Sequence, residues 1–444
     1  MSDLLKSGLP QEASEVKVNT ISSNSGYFPI RTKDRTDIFD WDSVLGHVVK
    51  TSYRKSLSID GLEDFKIKCE KSFLEKLDEH ELWPVLEQMY FEGDELYKIA
   101  PEFLLFKTQQ QSGSTPNARL GNMFASLLDT FFFEDKPATK LNFLEQQLFD
   151  ELNNNLSSKA DKKAKKGVNE APYLPFMATH FQEDLRFLGR RPKYLLSVFK
   201  EFLKLYSHLY TAQLALNIRD WRSGEPQPKP NYFILDSEKA SDERSLIKAH
   251  GHSQLFKALG NVFPYIAMND SLQSSDKKTQ PLWALAQDIA GNVGSAEILN
   301  RYAAAFKENR KLDITLTQNS DPLDALSDLL KLATGQFARG ESRHEINTQY
   351  VRSIESELCS HFVQRRGRAG QVLVFNQDYL ILLTNLAIGE KEKLRFHELI
   401  KAFESRGVFF DKQTQQVLIE FYERIGNVER MSDSGDAVYV SKTI

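Results

Sequence analysis

The chain has 444 residues, of which 41% are hydrophobic and 27% charged, with a formal net charge of −4. This balance excludes global disorder, and two cysteines exclude a disulfide scaffold. No bulk charge announces nucleic acid, so any such contact must come from local patches. At roughly 100–200 residues per domain, two to four domains are expected.

The start, MSDLLKSGLPQEASEVK, lacks the basic head and apolar middle of a signal peptide. No run of about 20 apolar residues follows anywhere, so no transmembrane helix is expected. A cytoplasmic location is the expectation. Residues 1–25 are polar and read as a flexible tail. GYFPIRTK then opens the ordered part, extended around Pro29. SVLGHVVK, LEDFKIKCEKSFLEKLDEHEL, RLGNMFASLLDTFFF and KLNFLEQQLFDELNN carry apolar residues at three- and four-residue spacing and predict helices. In the second, Leu62, Phe65, Cys69, Phe73 and Leu77 form one stripe. Cys69 and Cys359 are expected to be reduced and packed.

NNNLSSKADKKAKKGVNEAP, residues 153–172, has no apolar period and carries Lys159, Lys162, Lys163, Lys165 and Lys166. It reads as a solvated linker or loop, with a phosphate-binding tether as the functional alternative. PKYLLSVFKEFLKLYSHLYTAQLALN is the strongest helix, with Pro192 in its first turn. SGEPQPKPNYFILD is a stiff connector leading to a short strand. Further helices are expected in PLWALAQDIAGN, SAEILNRYAAAFKEN and DPLDALSDLLKLATG, the last with Asp321 as N-cap. A long helix is expected from about His344 to Gln364. It places Arg365 and Arg366 at a helix C-terminus, where cations complement the dipole, and makes Gly367 the stop. Arg368 lies past that stop and is left for phosphate contact.

Residues 371–444 read as a strand (QVLVF), three helices, and a terminal hairpin around DSGD. Three helices and a hairpin describe a winged helix. The N-terminal residues of its third helix are those that reach a groove. Lys412, Gln413 and Gln416 point outward there, with chemistry suited to bases and phosphates. Glu420 and Glu423 share that face, and Asp433 and Asp436 sit at the hairpin tip. From Phe362 onward twelve Lys/Arg face eleven Asp/Glu, a net of +1, so protein docking stays open beside DNA contact. The fold class expected is mainly α, a multi-helical body with a C-terminal winged-helix domain. Its divisions are 1–25, a tail; 26–152, a helical domain; 153–172, the Lys-rich linker; 173–361, a middle helical domain; and 362–444, the winged helix.

No Walker-type glycine loop, zincin helix or nucleophile elbow occurs. His250 and His252 have no nearby Cys or third His. Asp64-Phe-Lys66, a triplet type also found in nuclease cores, falls in an amphipathic helix. The expectation is no enzyme, no cofactor, no metal and no small-molecule substrate.

Two stretches carry a family resemblance: GYFPIRTK with FDWDSVLGHVVK (residues 26–50), and RFHELIKAFESRGVFFDKQTQQVLIEFYERIGNVERMSDSGDAVYV (residues 395–440). Together they resemble the DptG (DndG) family of the bacterial DNA phosphorothioation-dependent restriction system. The resemblance implies a host-defence role against unmodified DNA. It also implies two partners, a DptF-like ATPase and a DptH-like helicase or NTPase. This subunit would bridge, position or recognise, and no catalytic residue carries over. The alternatives are a stand-alone winged-helix regulator and a divergent nuclease. The DNA-binding candidates are Arg365, Arg366, Arg368, Lys412, Gln413 and Gln416.

Overall fold

The computed structural model of the chain describes residues 5–17, 26–34, 38–76, 80–108, 115–133, 140–158, 170–239, 243–273, 278–431 and 437–444. The fold is mainly helical. The N-terminal third holds α1 (Trp41–Ser52), β1 (Lys55–Leu57), α2 (Leu62–Lys76), α3 (Trp83–Tyr90), α4 (Pro116–Leu128), α5 (Phe143–Asn154) and β2 (Leu156–Ser158). The middle holds α6 (Pro175–Gly189), α7 (Pro192–Asn217), β3 (Tyr232–Leu235), α8 (Ser245–His250), α9 (His252–Leu259), α10 (Val262–Leu272), α11 (Leu282–Ile289), α12 (Val293–Arg310), α13 (Pro322–Gly335) and α14 (His344–Ile354). The remainder is β4 (Val363–Arg365), β5 (Gln371–Phe375), α15 (Gln377–Ile388), β6 (Lys393–Arg395), α16 (Phe396–Glu404), β7 (Phe409–Phe410), α17 (Lys412–Arg424), β8 (Val428–Met431) and β9 (Ala437–Ser441).

α7 is the axis. Pro192 sits in its first turn, and every residue from Leu205 to Asn217 is buried. A helix buried all round its circumference belongs to a core rather than a surface. The main core runs from Leu5 to Val440 and gathers residues from all parts of the chain. A second, smaller core contains Phe65, Cys69, Phe73, Trp83, Phe103 and Leu152. The expected boundaries at 152 and 361 therefore do not separate independent cores. Sheet topology explains why. β3 pairs in parallel with β5 and with β7, and β4 pairs antiparallel with β5, giving the order β4-β5-β3-β7. Residues 362–444 thus share a sheet with the middle of the chain.

Three further expectations are corrected. Residues 5–17 of the expected tail dock: Leu5, Leu9 and Val16 are buried, Lys6 N donates to Leu272 O at 2.8 Å, and Asn309 Nδ2 donates to Ala13 O at 2.8 Å. Three spaced apolar residues suffice to anchor an otherwise polar segment. The linker is not a loop throughout, because β2 pairs antiparallel with β1 and Glu170 is buried. Its five lysines lie outside the described residues. The long helix stops early. After Ile354 the chain makes a π turn, Glu355–Cys359, a 3-10 turn, Ser360–Phe362, and then enters β4.

GYFPIR threads the core as a strap. Tyr27, Phe28 and Ile30 are fully buried. Its backbone carbonyls are satisfied by side chains: Tyr210 Oη donates to Tyr27 O (2.9 Å), Arg119 Nε to Pro29 O (2.7 Å) and Tyr350 Oη to Ile30 O (3.2 Å). Gly26 is required by close approach, since a Cβ there would lie 2.7 Å from Glu170 Oε2 and 3.0 Å from Asn122 O.

Candidate nucleic-acid interface

The end of the chain presents three helices and a small sheet. α15, β6, α16, β7, α17, β8 and β9 follow in order; β7 pairs with β3 in the other sheet, and the antiparallel sheet here has the order β6-β9-β8. Asp411 caps α17, accepting from Thr414 N at 2.9 Å. Leu418 and Phe421 turn inward, while Lys412, Gln413 and Gln416 are exposed as expected. Glu420 and Glu423 are exposed one turn on. Glu423 is engaged: Arg430 of β8 donates Nε to it at 3.0 Å. The hairpin tip with Asp433 and Asp436 lies outside the described residues.

The arginine cluster is not at a helix end. Arg365 closes β4, opposite Gln371 of β5. Arg366 to Gly370 make the turn between these strands, Arg366 N donating to Gly370 O at 2.7 Å. The dipole-capping reading of Arg365 and Arg366 is therefore overturned. Helical spacing of Ile354, Leu358 and Phe362 continues through the π turn, which hid the change to a strand. Arg365 and Arg368 are exposed on this hairpin. Arg366 turns back, donating Nη2 to the carbonyl and the carboxylate of Asp236, both at 2.8 Å.

That contact joins the two candidate patches. Two residues beyond Asp236, Glu238 accepts from Thr414 Oγ1 of α17 at 3.1 Å. Arg244 completes the link, with Nη1 2.8 Å from Glu238 Oε1, Nε 2.9 Å from Asp411 Oδ2, and Nη2 on Asp411 and Thr414. All of Arg244, Glu238 and Thr414 are buried. Burial alone would push Asp411 up, but the Arg244 and Thr414 hydrogen bonds outweigh it and hold its carboxyl below the usual range. The segment after β3 therefore anchors the arginine hairpin at Asp236 and the α17 N-terminus at Glu238 and Arg244. Both patches rest on one short piece of chain.

Three further basic side chains belong to this region and were missed from sequence. Lys393 and Arg395 of β6 flank Tyr439 of β9, with their charged groups 5.4 and 5.7 Å from the ring centroid. Arg395 Nε donates to Tyr439 Oη at 3.0 Å, and Lys393 also pairs with Glu429. Arg430 lies on β8. The alternation Lys-Leu-Arg, with Leu394 buried, was the available signal, since alternate strand residues share a face.

Elsewhere, His252 and Glu355 are 2.6 Å apart and His250 meets Gln254 at 3.1 Å. Among the described residues, no group of three His, Cys, Asp or Glu is placed to hold a metal ion, and no helix is long and apolar enough to cross a membrane. Cys69 and Cys359 are free and buried, and burial pushes both thiols up. No protein-family model matches this chain, and no curated protein does.

Proposed function

We propose that this chain is a non-catalytic subunit of a phosphorothioation-dependent restriction complex, of the DptG (DndG) kind. In this reading residues 362–444 form a winged helix that contacts DNA. The observation that carries it is the order helix, strand, helix, two-residue strand, helix, strand, strand, with α17 exposing Lys412, Gln413 and Gln416 at its N-terminus. The third helix of such a module presents its first turn to a groove. Arg365 and Arg368 on the neighbouring hairpin supply phosphate contacts, which position without specifying. A DptF-like ATPase and a DptH-like helicase would supply the NTPase chemistry, in the cytoplasm.

The test is fluorescence anisotropy of the full-length protein with labelled duplex, sulfur-modified and unmodified, across a salt series. Salt-dependent binding that falls on alanine substitution at Arg365, Arg366 and Arg368 supports the reading. A preference between the duplexes makes this subunit the sensor. Exposed Glu420 and Glu423 favour a second reading, in which the same module docks a protein partner. No binding at low salt together with co-purification of the ATPase partners would favour that one.

A further inference from the structure

A cavity of about 180 Å³ opens where the end of α7 meets the proline-rich segment that follows it and the start of α11. Tyr173, Trp221 and Trp283 form its aromatic walls. Trp283 cannot offer its N–H to a ligand, because Nε1 donates to Tyr173 O at 3.0 Å. The polar lining is rich in acceptors. Asn217, 5% exposed, gives Nδ2 to Gln213 O at 2.9 Å, and its Oδ1 has no donor among the described residues. Asp220 pairs with Lys229 through Oδ2 alone. Lys229 is further tied to Leu216 O at 2.9 Å. Glu225 also lines the cavity and is exposed. Two carboxylates against one ammonium leave the lining at −1.

Aromatic faces attract cations through the ring quadrupole. Unpaired acceptor oxygens call for a ligand with several N–H donors. An anion would meet Asp220 and Glu225, while the Trp283 N–H and the Lys229 ammonium already have acceptors within the protein. One indole here already holds a cation: the guanidinium of Arg222 lies 5.2 Å from the Trp221 centroid while paired with Asp324 at 2.6 Å. The cavity is smaller than the roughly 300–1,000 Å³ of drug-sized sites, so it fits one flat, donor-rich group. A guanidinium combines planarity, stacking on aromatics and forked donors. The geometry points to a binding site for a guanidinium group, carried by an arginine of a partner chain or by a small free guanidine. This site is independent of the DNA reading.

Two of the four tryptophans line the cavity, so intrinsic fluorescence reports on it. The experiment titrates the full-length protein with an N-acetylated Gly-Arg-Gly amide, with methylguanidine, and with the neutral Gly-citrulline-Gly amide. A saturable change is expected with the arginine peptide, and citrulline binds about tenfold more weakly for want of a charge-assisted hydrogen bond. Tighter binding of the peptide than of methylguanidine assigns the site to a partner's arginine, and the reverse order assigns it to a free guanidine. Glu225→Gln, at an exposed position, weakens binding about threefold without changing thermal unfolding. Trp283→Phe reduces the signal and the affinity together. Absence of a saturable change at tens of millimolar, or equal binding of citrulline, or an unchanged affinity in both variants, overturns the assignment.

Discussion

Arg244 and Asp411, 167 residues apart in sequence, share a buried ion pair that fixes where α17 begins. The same guanidinium holds Glu238, so one cation pairs with two carboxylates inside the protein. Removing it leaves both acids without a counter-charge. Arg244→Ala is expected to cost about 3–5 kcal/mol, the usual loss when one member of a buried pair is deleted. Chemical denaturation measures this. An unchanged midpoint would show that α17 is held by its apolar face alone.

Arg365 and Arg368 are exposed, and neither makes a described contact that the fold needs. Replacing both with alanine should leave stability within about 0.5 kcal/mol. If the hairpin touches DNA, affinity falls and the slope of log K against log salt shrinks by up to about 2. Arg366→Ala adds the loss of the Asp236 contact, a half-exposed pair worth about 0–1 kcal/mol. Anisotropy and denaturation on the same variants separate the two effects. A salt slope unchanged in the double variant takes this hairpin out of the interface.

Much of the helical plan was legible because it is local. Pro192 in the first turn of α7 and Asp321 before α13 are a first-turn residue and a cap, and their signals lie within one turn of where they act. The outward face of α17 followed from its apolar stripe. What stayed hidden is non-local. β7 is two residues long and gains its place only by pairing with β3, 177 positions earlier at Tyr232 and Phe409. The Arg244 network cannot be read from either end. The arginine hairpin was mistaken for a helix end because Ile354, Leu358 and Phe362 keep four-residue spacing through the π turn, and β4 is too short to show alternation. The linking of both basic patches through Asp236 and Glu238 was therefore beyond sequence reasoning.

Glu170 sits in the core beside the GYFPIR strap, accepting from Gly26 N at 2.6 Å. Burial pushes its carboxyl up to about 8, against the Gly26 hydrogen bond, with the charge of Asp270 adding to the rise. Between the ordinary carboxyl range and pH 8 the folded protein keeps a proton that the unfolded chain has released. Stability therefore falls as pH rises through that window, and this group adds nothing further above it. Glu170→Gln is expected to flatten that decline and to be more stable than the parent at pH 8.5. Urea denaturation at pH 5, 7 and 8.5 checks it. A parallel pH dependence in both proteins would mean that the carboxylate is accommodated charged.

His208 lies at the centre of α7, fully buried, its ring 4.4 Å from that of Phe362 and nearly parallel to it. Both ring nitrogens lack a hydrogen-bond partner. Burial, reinforced by His361, pushes its pKa down to about 3. The folded protein thus holds this ring neutral while the unfolded chain takes up a proton below about 6.5. The contribution is complete above that value and is lost as pH falls toward 3, by at most about 5 kcal/mol. His208→Phe removes the linkage and the two unpaired nitrogens, and keeps the stacking on Phe362. The variant should be at least as stable as the parent at pH 7.5 and clearly more stable at pH 4.5. Loss of stability at pH 7.5 would instead indicate that the imidazole hydrogen-bonds a buried water between α7 and β3, where Thr211 and Asn231 also carry unpartnered side-chain atoms.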